Sequence, residues 1–305
     1  MASNVRVDAS VVLCCYQAEQ RILPVLEALL AQDHPATRWE LIVVDDASTD
    51  ATATVVARRL KGVRNARLLV HTRNKGLGGA RNTGIAAAKG EFILFTDDDC
   101  IPPRHWVSRA VARFRKQPAS VGALAGDVRI PRHSYVADCI SYMGFPAGGN
   151  LGFRRMFLVD AAGMTTSFTT ANAMVRRSVL SRLEGPFDEA LRKVQDKDLA
   201  LRIQQLGYRI RYCDDVTVVH MPMPSVAGFL RRMYVKGRYG SLIAQKHKGQ
   251  QRAYAGLRAR ALANTFKAPP NLLPGMLPLT VFGYGAAAFG YLVGWLRPAG
   301  RTPRR

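Results

Sequence analysis

Apolar and polar positions follow two rhythms along the first hundred residues. Short apolar runs, "ASVVLCCY", "ELIVVDD", "ARLLVH" and "EFILFT", alternate with stretches of helical spacing, "EQRILPVLEALLAQ", "STDATATVVARRL" and "GGARNTGIAAAKG". Continuous apolar runs of this length predict strands covered on both faces, and their alternation with helices predicts a parallel α/β sheet. Ser48 and Asp50 stand where the second helix needs a cap, Pro24 falls in an early turn of the first, and Gly90 ends the third. In sheets of this kind, ligands bind outside the C-terminal ends of the strands.

Past residue 100 the rhythm loosens. "PPRHWVSRAVARFRKQ" predicts a helix with a basic face and "SVGALAGDVRI" a strand. Residues 131–168 have no period and several glycines, as loops over a site would. "ANAMVRRSVLSRL" reads as a helix, and "QDKDLALRIQQLGYRI" as a helix ending near Gly207 and a strand. Residues 224–268 read as helical and basic, with ten Lys or Arg and with Tyr234, Tyr239 and Tyr254 among them. Leu272–Leu296 carries no charge. As helix its 25 residues would reach roughly 37 Å, enough to cross a bilayer. Pro274 and Pro278 are expected to break or kink the first turns, leaving Leu279–Leu296 intact, with Gly290 and Gly294 as a G-x-x-x-G that could pack helices. Membrane association, spanning or re-entrant, is expected for this tail; basic residues on both sides leave its orientation open.

Composition sharpens the contrast. The net charge is +22, from 44 Lys and Arg against 22 Asp and Glu, which points to an anionic partner. Yet two predicted strand ends carry acids: Asp45–Asp46, and Asp97, Asp98 and Asp99 in "FTDDDC". Like charges so close repel. They form either solvated turns or the walls of a crevice that holds something positive. Asp97 and Asp99, one residue apart, can both reach a hard divalent cation, Mg²⁺ or Mn²⁺, that shares phosphate oxygens with a substrate. "NKGLGGARNTG" offers Lys75, Arg81 and close backbone approach, as a phosphate requires. No glycine follows the first strand, which disfavours a dinucleotide fingerprint. Asp196 sits where a general base could be held at a helix start. Asp198 reads as a favourable first-turn charge. His220, closing "VTVVH", is a candidate third metal ligand. The five cysteines make no C-x-x-C pair and the N-terminus has no apolar h-region, so a reducing compartment and no signal peptide are expected.

Taken in order, "VVLCCYQAEQ", "ELIVVDDASTD", "NKGLGGARNTGI", "FILFTDDDCIPP", "TTANAMVRRSVLSRLEGPFDE", "QDKDLALRIQQLGYRI" and "VTVVH" resemble the family 2 glycosyltransferases, inverting enzymes of the GT-A fold. The likeness covers residues 8–220. It implies a Rossmann-like, mostly parallel sheet flanked by helices, in a catalytic domain over 1–222. The nucleotide-binding half would be about 1–100 and the acceptor half about 101–222. A basic helical segment over 223–268 and an apolar, membrane-associating tail over 269–305 would follow.

By resemblance, Asp45 and Asp46 read the base and ribose, with Tyr16 and Glu19 beside the base. Lys75 and Arg81 line the nucleotide pocket. Asp97 and Asp99, with Asp98 between them, hold the metal and the nucleotide-sugar diphosphate. His220 adds a metal ligand, and Asp196 is the catalytic base. Mn²⁺ or Mg²⁺ would be the cofactor. A nucleotide-sugar, of the UDP type, would be the donor, and a hydroxyl on a glycan, lipid or cell-envelope precursor the acceptor. The expected place of work is an anionic lipid surface at the cytoplasmic face of the membrane. Three departures matter. Gln17 stands near a customary Asn, Gln195-Asp196 replaces Glu-Asp, and "RRMYVKGRYG" replaces Q-x-x-R-W, which favours single-sugar transfer over processive synthesis. A polyprenyl-phosphate acceptor is the alternative. Nucleic acid is not an expected partner, because no reader module is visible and acidic strand ends repel phosphate without a metal.

Overall fold

The structure, a computed structural model, describes residues 6–147, 151, 157–247 and 268–296. β1 (Ala9–Cys15) and β2 (Trp39–Asp45) are buried at every position, and β4 (Phe92–Asp97) at all but the last. Their apolar runs are continuous because helices cover both faces of the sheet. α1 (Ile22–Leu30), α2 (Thr52–Leu60) and α3 (Gly76–Ala87) make the crossovers between β1, β2, β3 (Ala66–Val70) and β4. Leu13, Leu41 and Leu94 point into one core layer with Leu26 and Trp106. Val12, Ile42 and Phe95 point into the other with Phe187 and Leu199.

With β5 (Cys100–Ile101), β6 (Val121–Arg129), β7 (Met164–Thr165), β8 (Ala173–Arg176) and β9 (Arg209–His220), the strand order is β3-β2-β1-β4-β8-β6-β9-β5, and β7 also pairs with β9. β1 is parallel to both neighbours; Cys15 pairs with Asp45 on one side and Cys14 with Asp97 on the other. Both acidic tips therefore reach the same edge, with the end of β1 between them. The order reverses around β1 and β4, which is where an open α/β sheet leaves its crevice.

Beyond β4 the sheet becomes mixed. "ANAMVRRSVLSRL" is not one helix. Ala173–Arg176 forms β8, antiparallel to β4 and β6 (Val121–Arg129), and only Arg177–Leu180 turns into a helix, α6. Ala173, Met174 and Val175 have no solvent exposure, so pairing on both sides overrides local helical preference. Before β8, Asn172 is wholly buried. Its Nδ2 donates to the carbonyls of Asp127 and Val216, and its Oδ1 accepts from Trp106 of α4 (Trp106–Arg115). The stretch expected to be loops contains α5 (Tyr135–Tyr142), capped by Ser134. α7 (Gln195–Gln205) leads into the long strand β9 (Arg209–His220), and β5 (Cys100–Ile101) pairs Cys100 with His220.

Two long helices complete the described chain. α8 (Val226–Lys246) is the basic segment; the remainder of that segment, 248–267, lies outside the described residues. α9 (Leu273–Leu296) starts before both prolines rather than after them. Pro274 sits in the first turn, where its N–H would have no helical partner, and Pro278 forfeits one bond near that end. α9 runs in the same direction as α8, with Gly283 against Phe229, Gly290 against the Tyr234 carbonyl and Gly294 against Ser241 and Arg238. A Cβ at Gly237, Gly290 or Gly294 would collide with backbone of the partner helix, so the G-x-x-x-G is a packing surface.

Candidate active site

At the tip of β2 both acids are buried and hydrogen-bonded. Asp45 Oδ1 accepts from the Ser48 hydroxyl at 2.5 Å, and Oδ2 from the Ser48 N–H at 3.1 Å. Asp46 Oδ1 meets His71 Nδ1 at 2.7 Å and accepts from the Lys75 N–H at 2.9 Å. His71 Nε2 reaches Thr83 Oγ1 at 2.9 Å. Gln17, in the left-handed region at φ 50°, accepts through Oε1 from the Thr49 and Asp50 N–H groups. Glu19 Oε2 accepts from the Ala51 N–H at 2.7 Å. These bonds draw the loop after β1 and the loop after β2 into one rim, and Tyr16 stands exposed on it. The Lys75 side chain is exposed beside the same rim.

The tip of β4 differs. Asp97, Asp98 and Asp99 are half-buried, and each faces a cation or an imidazole. Arg81 donates to Asp97 Oδ1 at 2.8 Å and to Gln195 Oε1 at 3.2 Å, and stacks on Phe187 at 5.2 Å. Arg21 pairs with Asp98 at 2.8 Å. Burial still pushes the Asp98 carboxyl up to about 6, the Arg21 pair opposing it and the neighbouring acids adding to it. His220 Nε2 lies 3.5 Å from Asp99 Oδ1.

The His220 geometry tests whether a metal fits. Its Nδ1 lies 2.8 Å from the Met221 carbonyl, which can only accept, so Nδ1 carries a proton and Nε2 is the nitrogen left to face Asp99, as a ligand nitrogen would. A carboxylate and an imidazole nitrogen facing one another are what a divalent cation would bridge. Asp99, Cys100 and His220 offer ligand atoms within 4.8 Å of one another. Burial raises the Cys100 thiol well above its usual range, which disfavours thiolate ligation and leaves a carboxylate–imidazole pair suited to Mn²⁺ or Mg²⁺. Asp97 is not in this group; one of its oxygens is held by Arg81.

Asp196 and Asp198 share the first turn of α7 and have separate fates. Asp196 is partly exposed, and its Oδ1 accepts from the Lys197 N–H at 2.9 Å. Val194, which precedes this turn, sits in the left-handed region at φ 61°, a strained setting for a β-branched residue and one found at functional sites. Asp198 is not a simple first-turn charge. It has no solvent exposure, and its Oδ1 binds His247 Nε2 at 2.7 Å and Lys246 Nζ at 2.9 Å. Lys246 also pairs with Asp188 at 2.6 Å. The C-terminal end of α8 is thereby latched to the helix that carries Asp196.

That latch lays α8 over the site. Lys236 Nζ sits 4.4 Å from the centre of the Phe145 ring. Burial, then the Arg232 charge, pushes its ammonium down to about 7, with Asp196 opposing. Lys193 is lowered by burial and by Arg232, while Asp97 and Asp99 oppose. Through their charges Lys193, which is exposed, and Arg232 and Lys236, which are half-buried, act on one another and on the acids as a cationic wall. None was singled out from sequence, and neither were His71 or Arg21. His71 had a signal, since it closes the run "ARLLVH" as His220 closes "VTVVH". The wall had none, because Arg232 and Lys236 come from a helix remote in sequence.

Comparisons with known proteins concern the family and the fold. The chain is 26% identical over 220 residues to glycosyltransferase AglE of Haloferax volcanii, covering 70% of this chain and 67% of that protein. It is 28% identical over 214 residues to the pre-mycofactocin glycosyltransferase of Mycobacterium tuberculosis, covering 68% of this chain and 43% of that one. The chain thus spans about two-thirds of the first relative and less than half of the second. Among solved structures, the mannosyltransferase PcManGT of Pyrobaculum calidifontis, in complex with GDP-Man and Mn²⁺, superposes with a TM-score of 0.66 at 24% identity, covering 95% of this chain and 87% of that one. TarS 1-349 of S. aureus with UDP-GlcNAc gives 0.57 at 18% identity, covering 95% and 91%. Both likenesses concern the fold, which is GT-A. Residues 10–183 match the profile described as Glycosyl transferase family 2, and the chain belongs to that family and is a glycosyltransferase.

Proposed function

We propose that this enzyme is an inverting, metal-dependent transferase that moves one sugar from a nucleotide-sugar, of the UDP type, to a hydroxyl acceptor on a glycan, lipid or cell-envelope precursor. One observation carries the reading: Arg81 donates both to Asp97 Oδ1 at 2.8 Å and to Gln195 Oε1 at 3.2 Å, which ties the acidic tip of β4 to the residue directly before Asp196. The charges of Lys193 and Lys236 interact with Asp97, Asp99 and Asp196 in the same sense.

In this reading Asp45 and Asp46, with Tyr16 and Glu19 on the rim, receive the nucleoside. Lys75 and Arg81 line the path of the diphosphate, and Asp97 and Asp98 bound it. Asp99 and His220, with Asp97 beside them, would hold Mn²⁺ or Mg²⁺, which supplies charge neutralisation for the departing diphosphate. Asp196 takes the acceptor hydroxyl proton as the acceptor oxygen bonds to the anomeric carbon and the bond from that carbon to the diphosphate breaks. The exposed apolar face of α9, beside a strongly basic chain, supports work at the cytoplasmic face of a membrane.

Water can act as acceptor in a test that needs no knowledge of the natural one. An α-linked UDP- or GDP-sugar is incubated with enzyme and Mn²⁺, and the released sugar is followed by NMR before it mutarotates. The β anomer should appear first, and chelation should stop the reaction. First release of the α anomer would contradict the inverting mechanism.

A further inference from the structure

An apolar cleft of about 330 Å³ lies where α5, α8 and α9 meet, lined by Val136, Cys139, Val226, Leu230, Leu279 and Phe282 among others. That volume is in the range of small-ligand sites. Its polar atoms are engaged: the Tyr135 hydroxyl accepts from the Gly275 N–H at 2.9 Å, and the Cys139 thiol donates to the Leu272 carbonyl at 3.6 Å. A sugar or nucleotide would find its hydroxyls unanswered there. A hydrocarbon chain would lose nothing.

The mouth of the cleft points to where such a chain comes from. Phe282 belongs both to the cleft and to the outer face of α9, where Leu277, Val281, Phe289, Leu292 and Trp295 are exposed. Every exposed position of α9 from 277 to 296 is apolar. α9 cannot plunge through a bilayer while it holds this packing, because α8 lies along it and carries Arg231, Arg232, Lys236 and Arg238, each costly in hydrocarbon. The pair is suited to lie in the interface, with α9 against the acyl chains and the basic residues toward head groups.

α8 connects the cleft to the helix that carries Asp196: its Val226 and Leu230 line the cleft, and at its far end Lys246 and the adjoining His247 hold Asp198 of α7. Phe229, next to Leu230, meets Phe145 ring-to-ring at 5.5 Å, and Phe145 underlies the Lys236 ammonium. Lys236 follows Leu230 by six residues, roughly 9 Å along α8, and its charge interacts with Asp196.

We propose that the cleft between α5, α8 and α9 seats the hydrocarbon chain of a membrane-borne acceptor. The anionic head group of that acceptor rests on Arg232 and Lys236, with its reacting oxygen at Asp196. The proposal rests on the transferase reading above and gives its acceptor a chemical class: an anionic amphiphile.

Dodecyl phosphate and butyl phosphate, each below its micelle concentration, serve as probes in calorimetry on the full chain. Each methylene seated in the cleft should strengthen binding about fourfold, so the longer chain binds much more tightly. Leu230→Trp and, at the mouth, Val226→Trp fill the cleft; each should weaken dodecyl phosphate tenfold or more and leave butyl phosphate unchanged. Lys236→Gln should weaken both probes alike. Equal affinity for the two probes, or undiminished dodecyl phosphate binding in both tryptophan variants, would overturn the proposal. So would a dimer in sedimentation that either tryptophan variant abolishes, since a second copy would then fill the cleft. Nucleotide binding with Mn²⁺, measured on the same samples, reports the transferase reading separately. Its lack in the wild type overturns that reading and the acceptor role with it, whereas loss of the chain effect alone overturns only the cleft.

Discussion

The tips of β2 and β4 begin from one sequence signal, carboxylates directly after an apolar strand, and do opposite things. At β2 the acids are buried, and their oxygens are answered by Ser48, His71 and the Lys75 N–H. At β4 the acids are half-exposed, and Asp99 is left facing the imidazole Nε2 of His220 across 3.5 Å. An acid whose acceptors are filled by its own loop builds the pocket wall. An acid whose acceptors are not filled can take a cation. The same division recurs within one turn of α7, where Asp198 is sealed against Lys246 and His247 and Asp196 remains partly open.

Substitutions can break this contrast. The largest effect belongs to the open acids. Asp196→Asn should lower transfer by about 10²–10⁴-fold, the range for a lost general base, with nucleotide binding retained. Kinetics and calorimetry on one preparation check this, and retained transfer would remove Asp196 from the role. The sealed acid should act on stability. Asp198→Ala removes the fully buried carboxylate that anchors Lys246 and His247 and should cost about 3–5 kcal/mol in urea denaturation. A smaller cost of about 1–3 kcal/mol is expected for Asp46→Ala, which leaves the buried His71 Nδ1 without its partner, while Asp99→Ala should change stability by less than about 0.5 kcal/mol. Equal costs for Asp46 and Asp99 would erase the distinction between the two tips.

The subtlest effect is one of pH. Lys236 is pushed down to about 7 when folded, against about 10.4 in an open chain. Between those values the unfolded state binds the extra proton, so stability should rise with pH across that window. Lys236→Met should flatten the rise, read from denaturation at pH 7 and pH 9. An unchanged slope would mean that Lys236 keeps its charge and that α8 does not shield it.

Much of this was legible in the chain. The alternation of apolar runs and helical spacing up to Asp97 needs no partner to be read, because β1, β2 and β4 are buried on both faces. Legibility failed where a distant element decides the outcome. β8 is four residues, strand-like only because β4 and β6 flank it. Asp198 looks like a first-turn acid until α8 arrives from 48 residues downstream with Lys246. The cationic wall has no spacing to betray it, since Lys193 precedes α7 while Arg232 and Lys236 lie on α8. Glycines in α9 were visible as a packing pattern, but that they would lay it along a charged helix was not.

The most direct test is binding of UDP, GDP and dTDP by calorimetry, with and without Mn²⁺, on wild type and on Asp99→Ala. One nucleotide should bind in a metal-dependent way, and Asp99→Ala should abolish the metal dependence while the protein stays folded. Binding that ignores the metal, or that survives unchanged in Asp99→Ala, would contradict a cation held between Asp99 and His220.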